Sequence, residues 1–324
     1  MEKYIEDWLT IIEQMNNDNT YKLAFGRAIL ECIDNDRLTK DDKKVIVHFD
    51  DLSKCIIKYY WNQIFFFNLK QAPYREKEPV ICKYVKELIG KYKLITNNII
   101  PVWFNEGEKV LLKNEKTFFD KIVEKVSKTL HENVCWRFKN VSNNTLEIYE
   151  YNKSKGSILI FNYNDVDLIK EYNLILAKLL NYKWVQLLEG FNYAPKIANK
   201  IKGISNTKLK RNSLKKYKDA LVKEFKNGVI LDFYTDEPLS INEISIDHVI
   251  PWSFMYSDDI WNLVITSKSN NSRKSNSIPS KEIIKKLKER NDKLLNILND
   301  SFLEDLRIAK KNEYIDKFYY ECRL

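Results

Sequence analysis

Apolar positions in the first half of the chain recur every three or four residues, the period of a helix that turns one face to a core. In "MEKYIEDWLTIIEQM", Ile5, Trp8, Leu9 and Ile12 share such a face. Its interspersed acids, without a basic start and a small-residue cleavage site, predict a first helix rather than a signal peptide. Thr20 stands where an N-cap would open "YKLAFGRAILECI", with Leu23, Ala24, Ala28 and Ile29 facing inward. "LSKCIIKYYWNQIFFF", "PVICKYVKELIGKY" and "EKTFFDKIVEKVSKTL" predict further helices, the second with Pro79 in its first turn. "YYWNQIFFFNL" is apolar nearly all round, which suits a buried element rather than a stacking platform. The period then shortens. "VCWRFKNV", "TLEIYEY" and "SILIFN" alternate, with "NKSKG" as the turn between the last two, so a small β element is expected. A long helix over 165–188 follows, ending near Gly190.

The pattern changes again further on. "ISIDHVIP" predicts a short strand ended by Pro251, and "WNLVITS" a second strand beyond a polar loop containing Asp258 and Asp259. "SNNSRKSN" should open a helix, because Ser and Asn cap well. The expected fold class is therefore α+β. A mostly helical N-terminal domain with a small β element, over 1–195, would recognise DNA or a partner. A basic lead-in and a ββα unit follow over 196–324, with the motif at 245–280.

Composition narrows the function. A chain of 324 residues has room for two cores, and no run of eighteen apolar residues is present to span a membrane. Five scattered cysteines without a Cys-x-x-Cys pair suggest reduced thiols in a cytoplasm and remove the usual zinc-ribbon ligands. The net charge of +9 points to an anionic partner, nucleic acid first. Richness in Lys, Asn, Ile and Tyr together also reflects gene base composition, so the distribution of charge matters more than its sum. Residues 196–226 carry eleven Lys or Arg against two acids, and a second basic stretch runs over 268–290. The two bracket the segment that holds one candidate site, which favours a phosphate-tracking surface over an ordinary solvated face. None of the seven glycines forms a phosphate-binding loop, so ATP-driven work is not expected.

Within that segment lies Asp247-His248, holding one of only three histidines. A hairpin with a helix packed across it would gather Asp247, His248, Asn271 and Lys274 in one cleft. A carboxylate and an amide oxygen are hard donors suited to Mg²⁺, with Mn²⁺ able to substitute; Asp247 and Asn271 supply that pair. His248 can take a proton from water near neutral pH, and Lys274 can balance phosphate charge. Adjacent strand residues face opposite ways, so a local bulge or loop distortion is expected at Asp247-His248. Asn262 would hold that distortion through backbone bonds across the loop.

Asp247-His248, Asn262 fourteen residues after the histidine, Asn271 nine further on and Lys274 three after that resemble the HNH (ββα-metal) nuclease motif. With "DHVIPWSF" and "WNL", the similarity is to the HNH domain of RNA-guided CRISPR effector nucleases and to stand-alone bacterial HNH endonucleases. The third motif letter is Asn, the variant those groups use. The resemblance implies that His248 is the general base, that Asp247 and Asn271 bind metal, that Asn262 positions the loop, and that Lys274 reaches the scissile phosphate region. It covers residues 229–280. Many family members carry a zinc knuckle before the first strand. Here "LDFYTDEPLS" puts Asp232 and Thr235 near where cysteines would stand, so a structural zinc is not expected, and packing of Leu231, Phe233 and Leu239 is expected to hold the turn.

The implied activity is Mg²⁺-dependent hydrolysis of DNA, double-stranded by expectation, in restriction or anti-phage defence. One such site cuts one strand, so a double-strand break needs a homodimer, sequential nicks or a defence-system partner protein. The alternatives are a nucleic-acid-binding or specificity subunit with an inactive fold, and an RNase. His48 and His131 read as packing or surface residues, Trp252 and Trp261 as core. Asp258-Asp259 and Asp236-Glu237 read as solvated turns.

Overall fold

The computed structural model describes residues 2–41, 43–73, 78–142, 144–151, 158–202, 213–225, 228–299 and 301–323. The "NKSKG" turn and residues 203–212 of the basic lead-in lie outside them. The chain divides into two compact units, one of residues 1–192 and 200–205, the other of residues 193–199 and 206–324. The fold is α+β, helical in the main with small antiparallel sheets. No described helix is long and apolar enough to cross a membrane.

The first unit is built on helices Lys3–Gln14, Tyr21–Asp34, Phe49–Trp61, Val80–Thr96, Phe104–Asn114, Lys116–Thr129 and Tyr163–Phe191. Ile5, Trp8, Ile11 and Ile12 form the buried stripe of the first. Thr20 precedes the second, but its hydroxyl donates to Gln71 Oε1 rather than capping the helix. Strand Lys44–His48 pairs antiparallel with Ile158–Asn162, inside a four-stranded sheet flanked by Thr39–Lys40 and Glu150–Tyr151. The segment "VCWRFKNV" departs from the expected strand. Val134, Cys135 and Phe138 are buried at helical spacing, and Cys135–Phe138 is a helical turn leading to the two-residue strand Asn140–Val141. The Tyr59–Phe67 aromatics are core: Tyr59, Tyr60 and Trp61 are fully buried. His131 packs edge-on to Phe49, and His48 Nε2 lies 3.1 Å from Thr39 Oγ1.

The second unit holds the ββα arrangement. Strand β1 (Ile244–His248) pairs antiparallel with β2 (Leu263–Ser267), in register from Leu263↔His248 to Ser267↔Ile244. Helix α1 (Lys268–Lys274) opens on Ser267, whose hydroxyl accepts from Asn270 N at 3.1 Å. Apolar residues of both strands and the intervening loop, among them Val249, Ile250, Ile260, Leu263 and Ile265, are buried in one core. Helix α2 (Lys281–Leu295) braces that core: Arg290 Nη2 donates to Leu263 O at 2.5 Å and Asn291 Nδ2 to Trp261 O at 2.8 Å. Trp261 stacks on Phe318, as a core residue does. Burying side chains of this size is worth about 1.5–3 kcal/mol each, which is what keeps so short a hairpin in register.

Candidate nuclease site

Asp247 and His248 both line one open cleft, which has room for about 170 Å³ and is also lined by Trp252, Asn271, Ser272, Ser275 and Asn276. The ladder stays regular through both residues, so the distortion expected at Asp247-His248 lies one step later. His248 is the last residue of β1, and the chain leaves the sheet directly after it. Asn262 holds that exit. Its backbone carbonyl accepts from Val249 N at 2.9 Å, while its side chain accepts from Ile250 N at 2.8 Å and donates to Ile250 O at 2.9 Å. Asn262 is fully buried and does not line the cleft.

The Asp247 carboxylate is almost buried, and its Oδ2 carries the load. Tyr234 donates its hydroxyl to Oδ2 at 2.6 Å, and Lys274 Nζ lies 3.2 Å away. Lys274 also donates to His248 O at 2.7 Å, tying α1 to the end of β1. Burial lowers the Lys274 pKa, with Asp247 opposing. Burial, with the Asp247 charge added, pushes the Tyr234 phenol well above its ordinary value, so it stays a donor. On the helix, Asn271 Nδ2 donates to Ser245 Oγ at 2.8 Å and to Ile246 O at 3.2 Å.

These contacts leave Oδ1 of Asp247 and Oδ1 of Asn271 without a partner among the described residues. No group of three or more His, Cys, Asp or Glu among the described residues could hold an ion. A hard cation that keeps its waters and takes phosphate oxygens needs no such cluster. One carboxylate oxygen and one amide oxygen beside an open cleft fit it.

Three residues stand in roles the sequence reading did not assign. Tyr234 is the first, because nothing in its spacing shows that it reaches Asp247. Asp258, read as a solvated loop residue, is instead a neighbour of the histidine: its Oδ1 lies 2.9 Å from His248 Nε2, with the two side chains 13% and 8% exposed. Asp232 is the third. Packing of Leu231, Phe233 and Leu239 was expected to hold its turn, and Phe233 is buried. The carboxylate does the stitching, accepting from Tyr234 N (2.8 Å), Thr266 Oγ1 (2.9 Å), Ser267 N (2.8 Å) and Asn270 Nδ2 (2.8 Å). Desolvation would raise its pKa, but these donors outweigh it and hold the carboxyl below its ordinary value.

Comparison with known proteins matches the segment that holds this cleft. Residues 232–280 match the family model for HNH endonuclease, and residues 5–201 match that of a domain of unknown function (DUF8808). CRISPR-associated endonuclease Cas9 of Streptococcus mutans is 43% identical over 67 residues, covering 20% of this chain and 5% of that protein. The Cas9 of Listeria innocua is 35% identical over 89 residues, covering 26% of this chain and 6% of that protein. The chain thus spans only a small part of the curated relatives it matches.

Proposed function

This chain belongs to the domain of unknown function over residues 5–201 and to the HNH endonucleases over residues 232–280, and on that premise we propose that it is a Mg²⁺-dependent DNA endonuclease. The observation that carries the reading is the convergence of Asp247, His248 and Asn271 on one cleft inside the matched segment. Asp247 and Asn271 would hold the ion through their uncommitted oxygens. When bound, it would supply positive charge to the phosphate and to the departing oxygen. His248 takes a proton from water as the water oxygen bonds to phosphorus. The phosphorus–oxygen bond to the leaving strand breaks, and that oxygen is protonated from solvent. By family analogy the product keeps a 5′-phosphate. Lys274, released from Asp247, would face the phosphate. Asn262 fixes where β1 ends and therefore where His248 stands.

One site of this kind cuts one strand, so a double-strand break requires a second copy, two successive nicks or a partner. The name of the relatives supports a defence role, with the first unit selecting the substrate. The test is nicking of supercoiled plasmid by the full chain with Mg²⁺, Mn²⁺ or EDTA, beside His248→Ala and a parallel RNA substrate. Metal-dependent nicking lost in His248→Ala is expected. Binding without cleavage under any metal would make the chain a binding subunit, and cleavage of RNA alone would make it an RNase.

A further inference from the structure

We infer that Asp258 is the positioning residue for the water-activating histidine, an inference that rests on the reading of His248 as the base. The two side chains meet at 2.9 Å, Asp258 Oδ1 to His248 Nε2, and both are nearly buried. A carboxylate can only accept, so Nε2 carries the hydrogen and Nδ1 keeps the lone pair that can take a proton. The contact also fixes the ring's rotation, because an imidazole held at one nitrogen cannot swing its other nitrogen out of line.

The loop is built to present this carboxylate. Tyr217 donates its hydroxyl to the carbonyl of Asp258. On the next residue, Asp259 O accepts from Asn262 N at 2.9 Å, and Asp259 Oδ2 accepts from Ser257 Oγ at 2.5 Å. The neighbouring carboxylate is thereby committed within the loop, and Asp258 is the one turned to the histidine. The same Asn262 that fixes the end of β1 with its side chain and carbonyl fixes the far end of the loop with its backbone N–H, so base and orienter are set by one buried residue.

The test uses the full chain. In Asp258→Ala the nicking kcat should fall about 10- to 100-fold, by analogy with the loss of a hydrogen-bond partner behind a metal-bound imidazole, with KM and Mn²⁺ affinity by calorimetry unchanged. A merely structural role would not give a second readout. With only three histidines, ¹⁵N-histidine labelling should resolve a slowly exchanging, downfield Nε2–H proton of His248 in the metal-free protein, assigned by its absence from His248→Ala. That proton should vanish in Asp258→Ala and persist in Asp258→Asn, whose Oδ1 still accepts and which should recover part of kcat. Asp258→Leu, similar in size and unable to accept, serves if the alanine protein does not fold. An unchanged kcat, a fall that merely tracks lost metal affinity, or a downfield proton that survives Asp258→Ala overturns the inference. If the wild type nicks nothing under any metal, the nuclease reading fails on its own, and the proton signal still decides the pairing.

Discussion

Asp232 offers the sharpest test of what holds the nuclease unit together. It is 1% exposed and gathers five donors: Tyr234 N at 2.8 Å and Thr235 N at 3.4 Å on Oδ1, and Thr266 Oγ1, Ser267 N and Asn270 Nδ2 at 2.8–2.9 Å on Oδ2. A hydrogen bond to a charged group contributes about 1.5–3 kcal/mol. Bonds converging on one carboxylate are not additive, so the expected loss in Asp232→Ala is about 3–5 kcal/mol, less than the sum of about 1–3 kcal/mol for each neutral donor left unpaired. Asp232→Asn keeps the shape, but its NH₂ must point at donors whichever way the amide turns, so it should recover less than half. Urea unfolding of the full chain, followed by circular dichroism, reads both variants on the transition of the second unit. The pH dependence has a definite sign. The folded pKa is depressed, so this stabilisation is present above the unfolded value of about 3.9 and is lost as pH falls through the folded value. Asp232→Ala should therefore flatten the acid limb. An asparagine variant within about 1 kcal/mol of wild type would refute the reasoning and return the turn to packing by Leu231, Phe233 and Leu239.

Lys274 Nζ already neutralises Asp247, so Lys274→Met should tighten Mn²⁺ binding by about 3- to 10-fold while slowing nicking; weaker binding by calorimetry would contradict this. A Cβ on Gly107 would stand 2.3 Å from the Trp61 ring, so Gly107→Ala should lower stability by about 1–3 kcal/mol despite its better helix propensity, as measured by thermal melting. Burial lowers the Lys200 pKa to about 7, whereas an unfolded lysine holds its proton to about 10.4, so the unfolded state binds more protons and stability should rise from about pH 7 to 9. Lys200→Met should remove that slope relative to wild type in urea midpoints, and an identical slope would exclude the effect.

Local pattern carried much of this molecule. The helical stripe of Ile5, Trp8 and Ile12 and the short apolar run of "LVITS", buried at four successive residues, are readable in sequence because each is set by its own residues. Strand Lys44–His48 was not read, because what makes it a strand is a partner, Ile158–Asn162, far along the chain. Helix Phe104–Asn114 was missed because few of its positions are buried. At the site, Asp247, His248 and Asn271 could be singled out by residue type and spacing, and the fold brings all three to one cleft. Tyr234, Asp258 and Asp232 matter only through where the fold delivers an ordinary side chain: a phenol onto Asp247, a loop carboxylate onto an imidazole, an acid into a turn.

The bonds that shape the cleft, from the Tyr217 hydroxyl on Asp258 to Asn291 on Trp261, all start and end within one stretch of the second unit. A unit whose shaping bonds close on themselves does not depend on what stands beside it in the chain. Such self-sufficiency fits a likeness that occupies a twentieth of a far longer protein and is 43% identical over 67 residues.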